Sequence, residues 1–325
     1  AGNPCFSVLT GDSSLRSRPM GRVIIPLSRM GADIVARASN KYPPVAIQGK
    51  ALQPIQYEMP VASAQLKSSI LLAGLYAEGE TIVIEPSKSR DHTERMLPSF
   101  GADIKTEGLR VSIKGGPALK GAEVYVPGDF SSAAFFLVGA LLISGAEITA
   151  KGVGINPTRT GLVEALKKMG AHIEVGNGRE ISGETIADIH CSNTSGLKAI
   201  DIHREEIPAL IDEFPILCVA ATQADGITTI RGAEELRVKE SDRIKSMSAE
   251  LRKMGAEVEE FPDGVSIKGK TALKGNIVES YDDHRIAMAL SIAGLIAEGK
   301  TIVNGISSVN ISFPGFFDII RRLTL

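Results

Sequence analysis

Lys253-Met254-Gly255-Ala256-Glu257-Val258 is the fourth appearance of one phrase in this chain. Arg29-Met30-Gly31-Ala32-Asp33-Ile34, Ser99-Phe100-Gly101-Ala102-Asp103-Ile104 and Lys168-Met169-Gly170-Ala171-His172-Ile173 come before it, spaced by roughly 70 to 85 residues. In each copy the glycine closes an amphipathic stretch and opens a strand-like one, as a helix C-cap does. A second phrase interleaves with the first. Ala77-Glu78-Gly79-Glu80-Thr81-Ile82 returns as Ile143-Ser144-Gly145-Ala146-Glu147-Ile148, as Ala224-Asp225-Gly226-Ile227-Thr228-Thr229 and as Ala297-Glu298-Gly299-Lys300-Thr301-Ile302. Before each of these glycines runs a nearly all-apolar stretch: Leu71 to Ala77, Ala133 to Ile143, Ile216 to Ala224, and Ile286 to Ala297. A helix apolar on every side is buried on every side. Each unit of about seventy residues therefore reads as buried helix, strand, exposed helix, strand, strand. A third phrase, Val111-Ser112-Ile113-Lys114-Gly115, returns as Val265-Ser266-Ile267-Lys268-Gly269. Buried helices enclosed by sheets predict an inside-out α/β fold, unlike a doubly wound sheet with its strands in the middle. The turn chemistry of Pro127-Gly128-Asp129 predicts a domain boundary there.

Composition narrows the function classes. The 325 residues are 43% hydrophobic and 23% charged, which is ordinary for a globular protein and enough for a core without disulfides or metals. A net charge of −2 leaves no basic bulk for nucleic acid, so any positive potential must be local. No apolar run reaches membrane-spanning length, and no signal peptide is present. Cys5, Cys191 and Cys218 are scattered and odd in number, which points to a reducing, cytoplasmic setting and to core packing for Cys218. The opening Ala1-Gly2-Asn3-Pro4 reads as a turn rather than a domain start, an expectation of truncation.

Basic residues recur where a strand leads into an exposed helix: Arg16 and Arg18, Lys88 and Arg90, Arg159, then Arg237, Lys239 and Arg243. Cations beside helix N-termini suit a substrate with several phosphates or carboxylates. In Glu234 to Arg243, Lys239 and Arg243 lie four apart and are expected to share a helix face, with Ser241 or Asp242 capping. Asp212 stands where a buried helix begins, either as an N-cap or as a carboxylate facing a ligand. Tyr281-Asp282-Asp283-His284-Arg285 leads straight into an apolar helix, which suits a cleft lining. His284 and Arg285 there fit an anion better than a metal, since no second His or Cys stands at ligand spacing. Capping explains Ser63 in Val61-Ala62-Ser63-Ala64-Gln65-Leu66-Lys67 but not Gln65.

Six segments carry a resemblance: Leu9 to Met20, Ser63-Ala64-Gln65, Ser89-Arg90-Asp91-His92-Thr93-Glu94, Ile211-Asp212-Glu213, Arg237-Val238-Lys239-Glu240-Ser241-Asp242-Arg243, and Asp283-His284-Arg285. In that order they resemble 5-enolpyruvylshikimate-3-phosphate synthase over nearly the whole chain, in the family branch often tolerant of glyphosate. The resemblance implies two domains built of βαβαββ-type units. Residues 1–127 would then be an incomplete first domain of about two of its three units, and 128–325 a second domain of three. It implies transfer of the carboxyvinyl group of phosphoenolpyruvate to the 5-hydroxyl of shikimate 3-phosphate, a step of aromatic amino-acid biosynthesis. No metal or organic cofactor is required. By the same resemblance Arg18, Gln65, Arg243, His284 and Arg285 face phosphoenolpyruvate. Ser63, Ala64, Gln65, Arg90, Asp212 and Lys239 hold shikimate 3-phosphate. The catalytic residues the resemblance implies are Asp212, Glu240 and Lys239: Asp212 is the base, and Glu240 the proton shuttle, its pKa set by Lys239 and by burial.

The family's Pro-Gly-(Asp or Ser)-Lys-Ser and Asn-(Ala or Ser)-Gly-Thr phrases are not in these residues. The expectation is that an N-terminal segment is missing and that the chain alone is weakly active or inactive. That segment would then be a partner, alongside the two small-molecule substrates. Two other readings compete. One is a UDP-N-acetylglucosamine enolpyruvyl transferase, disfavoured by the Arg-Val-Lys-Glu-Ser-Asp-Arg phrase and by the want of a loop cysteine. The other is a non-catalytic fragment that assembles with its N-terminal piece.

Overall fold

The computed structural model describes residues 1–116 and 118–324 and divides into two compact units, each with its own core. The first comprises Ala1–Tyr125 with Glu180–Glu184, and the second Val126–Arg179 with Thr185–Leu325. The turn Glu180–Glu184 thus groups with the first unit, although the sequence reading assigns it to the second segment.

In the first unit, strands β1 (Phe6–Leu9), β2 (Asp33–Ala36) and β3 (Tyr42–Gln48) form an antiparallel sheet in the order β1-β3-β2. Strands β4 (Gln56–Glu58), β5 (Glu80–Ile84), β6 (Asp103–Glu107) and β7 (Arg110–Lys114) form a second sheet in the order β4-β5-β7-β6. Strand β4 runs parallel to β5, and the helix Ala64–Gly74 connects them. That helix packs on the sheet, with Leu66, Ile70 and Leu71 fully enclosed.

The second unit repeats this plan. Strands β8 (Glu147–Gly154), β9 (Ile173–Ile181) and β10 (Glu184–Ser192) form a sheet in the order β8-β10-β9. Strands β11 (Asp201–Ile202), β12 (Gly226–Ile230), β13 (Glu257–Phe261) and β14 (Gly264–Gly269) take the order β11-β12-β14-β13, the topology of β4 to β7. Strands β15 (Ile277–Glu279) and β16 (Ile302–Asn304) pair in parallel. Three helices, Phe130–Leu142, Phe214–Thr222 and His284–Ile296, pack against one another inside the unit. Every residue of Phe214–Thr222 is buried. The helices Gly161–Lys168 and Arg243–Lys253 bury one side only. This is the inside-out arrangement expected from the sequence. Each buried helix starts before its apolar run, and a polar residue, Ser63, Asp129, Glu213 or Asp283, holds its cap position.

The repeated phrases have physical causes. Gly31, Gly101, Gly170 and Gly255 all sit in the left-handed region, with φ between 84° and 95°. Gly115 has a different reason to be glycine. A Cβ there would lie 1.9 Å from the Ala77 carbonyl oxygen and 2.4 Å from that of Gly74, at the end of the buried helix. Gly269, in the second copy, would meet the Ala224 oxygen at 2.1 Å. The strand passes so close to the helix end that no side chain fits.

The two kinds of glycine should respond differently to alanine. Gly101→Ala meets open space and should cost about 1 kcal/mol, from its left-handed backbone alone. Gly115→Ala must displace backbone and should cost about 3 kcal/mol. Denaturant unfolding of both variants checks the order, and equal losses would contradict it.

Candidate active site

A buried helix cannot leave its first N–H groups to water, so something polar must meet them. In the second unit Asp129 caps the Phe130 helix, accepting from Ser132 N at 2.8 Å and Ser132 Oγ at 2.9 Å. Asp283 caps the His284 helix, accepting from Arg285 N at 2.9 Å. Glu213 occupies the cap position of the Phe214 helix but makes no side-chain cap bond. Its carboxylate Oε1 accepts instead from Ser131 Oγ in the first turn of the Phe130 helix, and Arg285 Nη1 lies 3.9 Å from the same oxygen. The starts of all three buried helices therefore meet, and their dipoles add positive potential at one place.

Arginines concentrate there. Arg243 is almost wholly enclosed, with Nε donating to Asp283 Oδ2 at 2.8 Å and Nη2 to Glu240 Oε2 at 2.7 Å. Burial opposes its charge, but Asp283, Glu240 and Asp212 outweigh that and hold its pKa above the usual guanidinium value. Asp212 faces two arginines. Its Oδ1 is 3.4 Å from Arg243 Nη1, its Oδ2 is 3.5 Å from Arg285 Nη2, and its backbone oxygen accepts from Arg285 Nη1 at 3.2 Å. Arg159 Nη2 donates to Ser131 Oγ at 2.6 Å and stands 3.4 Å from Asp129 Oδ1. Burial, then the neighbouring Arg285, pushes the His284 pKa below its ordinary value, so the ring is neutral at pH 7.

Several expectations need correction. Lys239 and Arg243 do not share a helix face, because Lys239 ends the short 3-10 turn Glu234–Val238 in extended backbone. The following helix starts at Arg243, with Asp242 as its cap accepting from Lys245 N at 3.0 Å. Glu240 is exposed rather than buried, and it pairs with Arg243 at 2.7 Å. Asp212 is not an N-cap, since Glu213 holds that position. Arg237 is a structural clamp. It bonds Asp242 at 2.8 Å, Glu260 at 3.0 Å, and the carbonyls of Phe261 and Pro262 at 2.6 and 2.7 Å.

In the first unit, Ser63 caps the Ala64 helix, its side chain accepting from Leu66 N at 3.4 Å. Ala64 and Gln65 form the first turn, with Gln65 exposed. Arg90 is half-buried in the loop between β5 and the short helix His92–Met96. Arg18 is half-buried where the short helix Ser13–Ser17 gives way to Gly21–Arg29. Sequence reasoning missed Lys67, whose ammonium is fully enclosed between Glu85 and Glu94. It also gave no role to Glu213 or Ser131. A polar residue close to the start of a mostly apolar helix was the available signal for both Lys67 and Ser131. Among the described residues no cluster of His, Cys, Asp or Glu is placed to hold a metal ion, and no helix is long and apolar enough to cross a membrane.

A family profile described as EPSP synthase (3-phosphoshikimate 1-carboxyvinyltransferase) matches residues 1–320. The chain belongs to the EPSP synthase family. It is 55% identical over 326 residues to the 3-phosphoshikimate 1-carboxyvinyltransferase of Thermodesulfovibrio yellowstonii, covering 99% of this chain and 75% of that one. The same-named protein of Pelotomaculum thermopropionicum is 54% identical over 323 residues, with the same coverage. The EPSP synthase structure from Acinetobacter baumannii superposes with a TM-score of 0.87 at 49% identity, covering 99% of this chain and 74% of that one. The enolpyruvyl transferase NikO from Streptomyces tendae, at 18% identity and a TM-score of 0.76, shares the fold, covering 98% and 72% of the two chains. The EPSP synthase-family chain therefore spans about three quarters of these relatives. Their names favour the shikimate enzyme over the UDP-sugar alternative.

The Glu213 carboxyl has its pKa pushed above the ordinary carboxylate value by burial, with Arg285 pulling it back. A pKa raised by folding contributes stability below the unfolded value and loses it as pH rises through the folded one. Glu213→Gln should therefore raise the Tm at about pH 7.5, with the gain vanishing near pH 4. Thermal melts across that range check it, and a Tm lowered at neutral pH would contradict it.

Proposed function

We propose that this chain carries the chemistry of its family, moving the carboxyvinyl group of phosphoenolpyruvate to the 5-hydroxyl of shikimate 3-phosphate. The C3 methylene of phosphoenolpyruvate gains a proton while the 5-oxygen bonds to C2 and loses its own. The tetrahedral intermediate then expels phosphate, and a proton leaves the new methyl group to restore the double bond. Three tasks follow: gripping two polyanions, moving protons, and stabilising positive charge at C2.

The observation that carries the assignment is Asp212, a partly exposed carboxylate at the meeting of buried helix starts, 3.4 to 3.5 Å from two guanidiniums. A partly exposed carboxylate within reach of a ligand suits a base. It is assigned to the 5-hydroxyl. Arg243, Arg285 and neutral His284 are assigned to phosphoenolpyruvate, and by the family resemblance so are Arg18 and Gln65. Planar guanidinium forks suit its carboxylate and phosphate. Ser63, Ala64 through its backbone, Gln65, Arg90 and Lys239 are assigned to shikimate 3-phosphate. Glu240 is the proton shuttle. Its exposure lets it exchange protons with water, and it pairs with Arg243 at 2.7 Å.

In a chain of the relatives' full length, Asp212→Asn should lower kcat by about two to four orders of magnitude while changing shikimate 3-phosphate affinity only a few-fold. Steady-state kinetics beside calorimetric titration test this, and equal losses in both would sink the assignment. Arg90→Ala should weaken shikimate 3-phosphate binding by about tenfold or more in the same titration, since it removes a charged phosphate contact.

A further inference from the structure

Lys67 is the fourth residue of the Ala64 helix, and its side chain has no exposure to solvent. Its Nζ stands 2.9 Å from Glu85 Oε1 at the end of β5 and 2.5 Å from Glu94 Oε1 on the His92–Met96 helix. The other Glu85 oxygen, Oε2, accepts from Ser89 twice, from the backbone N at 3.1 Å and from Oγ. Ser68 Oγ and Thr93 Oγ1, 2.6 Å apart, add a second tie between the same two helices. Glu85 is 2% exposed and Ser89 4%, so neither reaches a ligand directly.

Stability alone is a poor reason for this arrangement. One ammonium between two carboxylates leaves a buried net negative charge, and an apolar residue would serve a helix interior at lower desolvation cost. Geometry is a better reason. The loop between Glu85 and Asp91 has no helix or strand of its own to set its path. A single carboxylate oxygen that takes both the amide and the hydroxyl of Ser89 fixes the peptide just before Arg90. Lys67 fixes that carboxylate from the helix whose first turn is Ser63, Ala64 and Gln65. One buried ammonium thus sets the distance between the loop that carries Arg90 and the helix start that carries the other assigned groups.

We infer that Lys67, Glu85 and Ser89 are positioning residues for phosphate recognition: they hold Arg90 in register with the Ser63 helix start. The inference rests on the reading that these groups take shikimate 3-phosphate. It concerns residues that touch no substrate.

Calorimetric titration of shikimate 3-phosphate into the wild-type chain, Ser89→Ala, Lys67→Met and Arg90→Ala tests it, with thermal melts of each. Ser89→Ala keeps the size of the side chain and should fold normally. The expected result is about a tenfold loss of shikimate 3-phosphate affinity in Ser89→Ala and at least that in Lys67→Met. KM for phosphoenolpyruvate should stay within about twofold, a split that loss of general stability would not produce. Unchanged shikimate 3-phosphate affinity in Ser89→Ala, with Arg90→Ala weakened, would overturn the inference and leave the assignment of Arg90 standing. Unchanged affinity in Arg90→Ala would overturn both. Should Lys67→Met fail to fold, Ser89→Ala alone decides.

Discussion

A helix enclosed on every side must have its first backbone N–H groups met by protein rather than water, and this requirement organises the molecule. Ser63, Asp129 and Asp283 meet it with side-chain caps, while Glu213 turns from its own helix to bond Ser131 on the next. Polar residues are thereby forced to the starts of otherwise apolar helices. In the second unit three such starts come together, so their caps, dipoles and arginines share one place. Burying these helices gathers positive potential that favours an anion. The opposite ends impose a constraint of their own, which Gly115 and Gly269 meet by letting a strand press against helix carbonyls.

Within that site the ion pairs divide by length, and the division suits their roles. Arg243 is clamped by Asp283 and Glu240 at 2.7 to 2.8 Å, so its orientation is set before any ligand arrives. Asp212 Oδ1 and Oδ2 lie 3.4 and 3.5 Å from Arg243 and Arg285. A clamped guanidinium beside a partly exposed carboxylate is the preorganised arrangement on which the proposed reading draws. Stability is given up for this, because the enclosed Glu213 is charged only against the cost of its burial. The arrangement is one of preorganised charge, not of added packing.

Much of this was legible in the primary structure because local rules govern it. The helix-closing glycines, the all-apolar helices and the repeat period depend on neighbours along the chain. So did the polar residues at Asp283, His284 and Arg285, conspicuous before an apolar helix. Lys239 and Arg243 were misjudged because four-residue spacing implies a shared face only if a helix runs through it. The chain instead breaks at Lys239 and restarts behind the cap Asp242. Lys67 was overlooked because a lysine two residues beyond Gln65 reads as surface, while its partners Glu85 and Glu94 lie on other elements.

The sequence by itself determined the inside-out architecture, since apolar periodicity and capping residues act over a turn or two of chain. It also carried enough ordered phrases to indicate the family. Tertiary structure alone decided which charges meet: Glu213 with Ser131, Arg243 with Asp283, and Lys67 with two carboxylates. The physical reason is range. Helix and turn preferences are set by bonds within a few residues, whereas a buried charge is tolerated only where packing delivers a partner from a distant element.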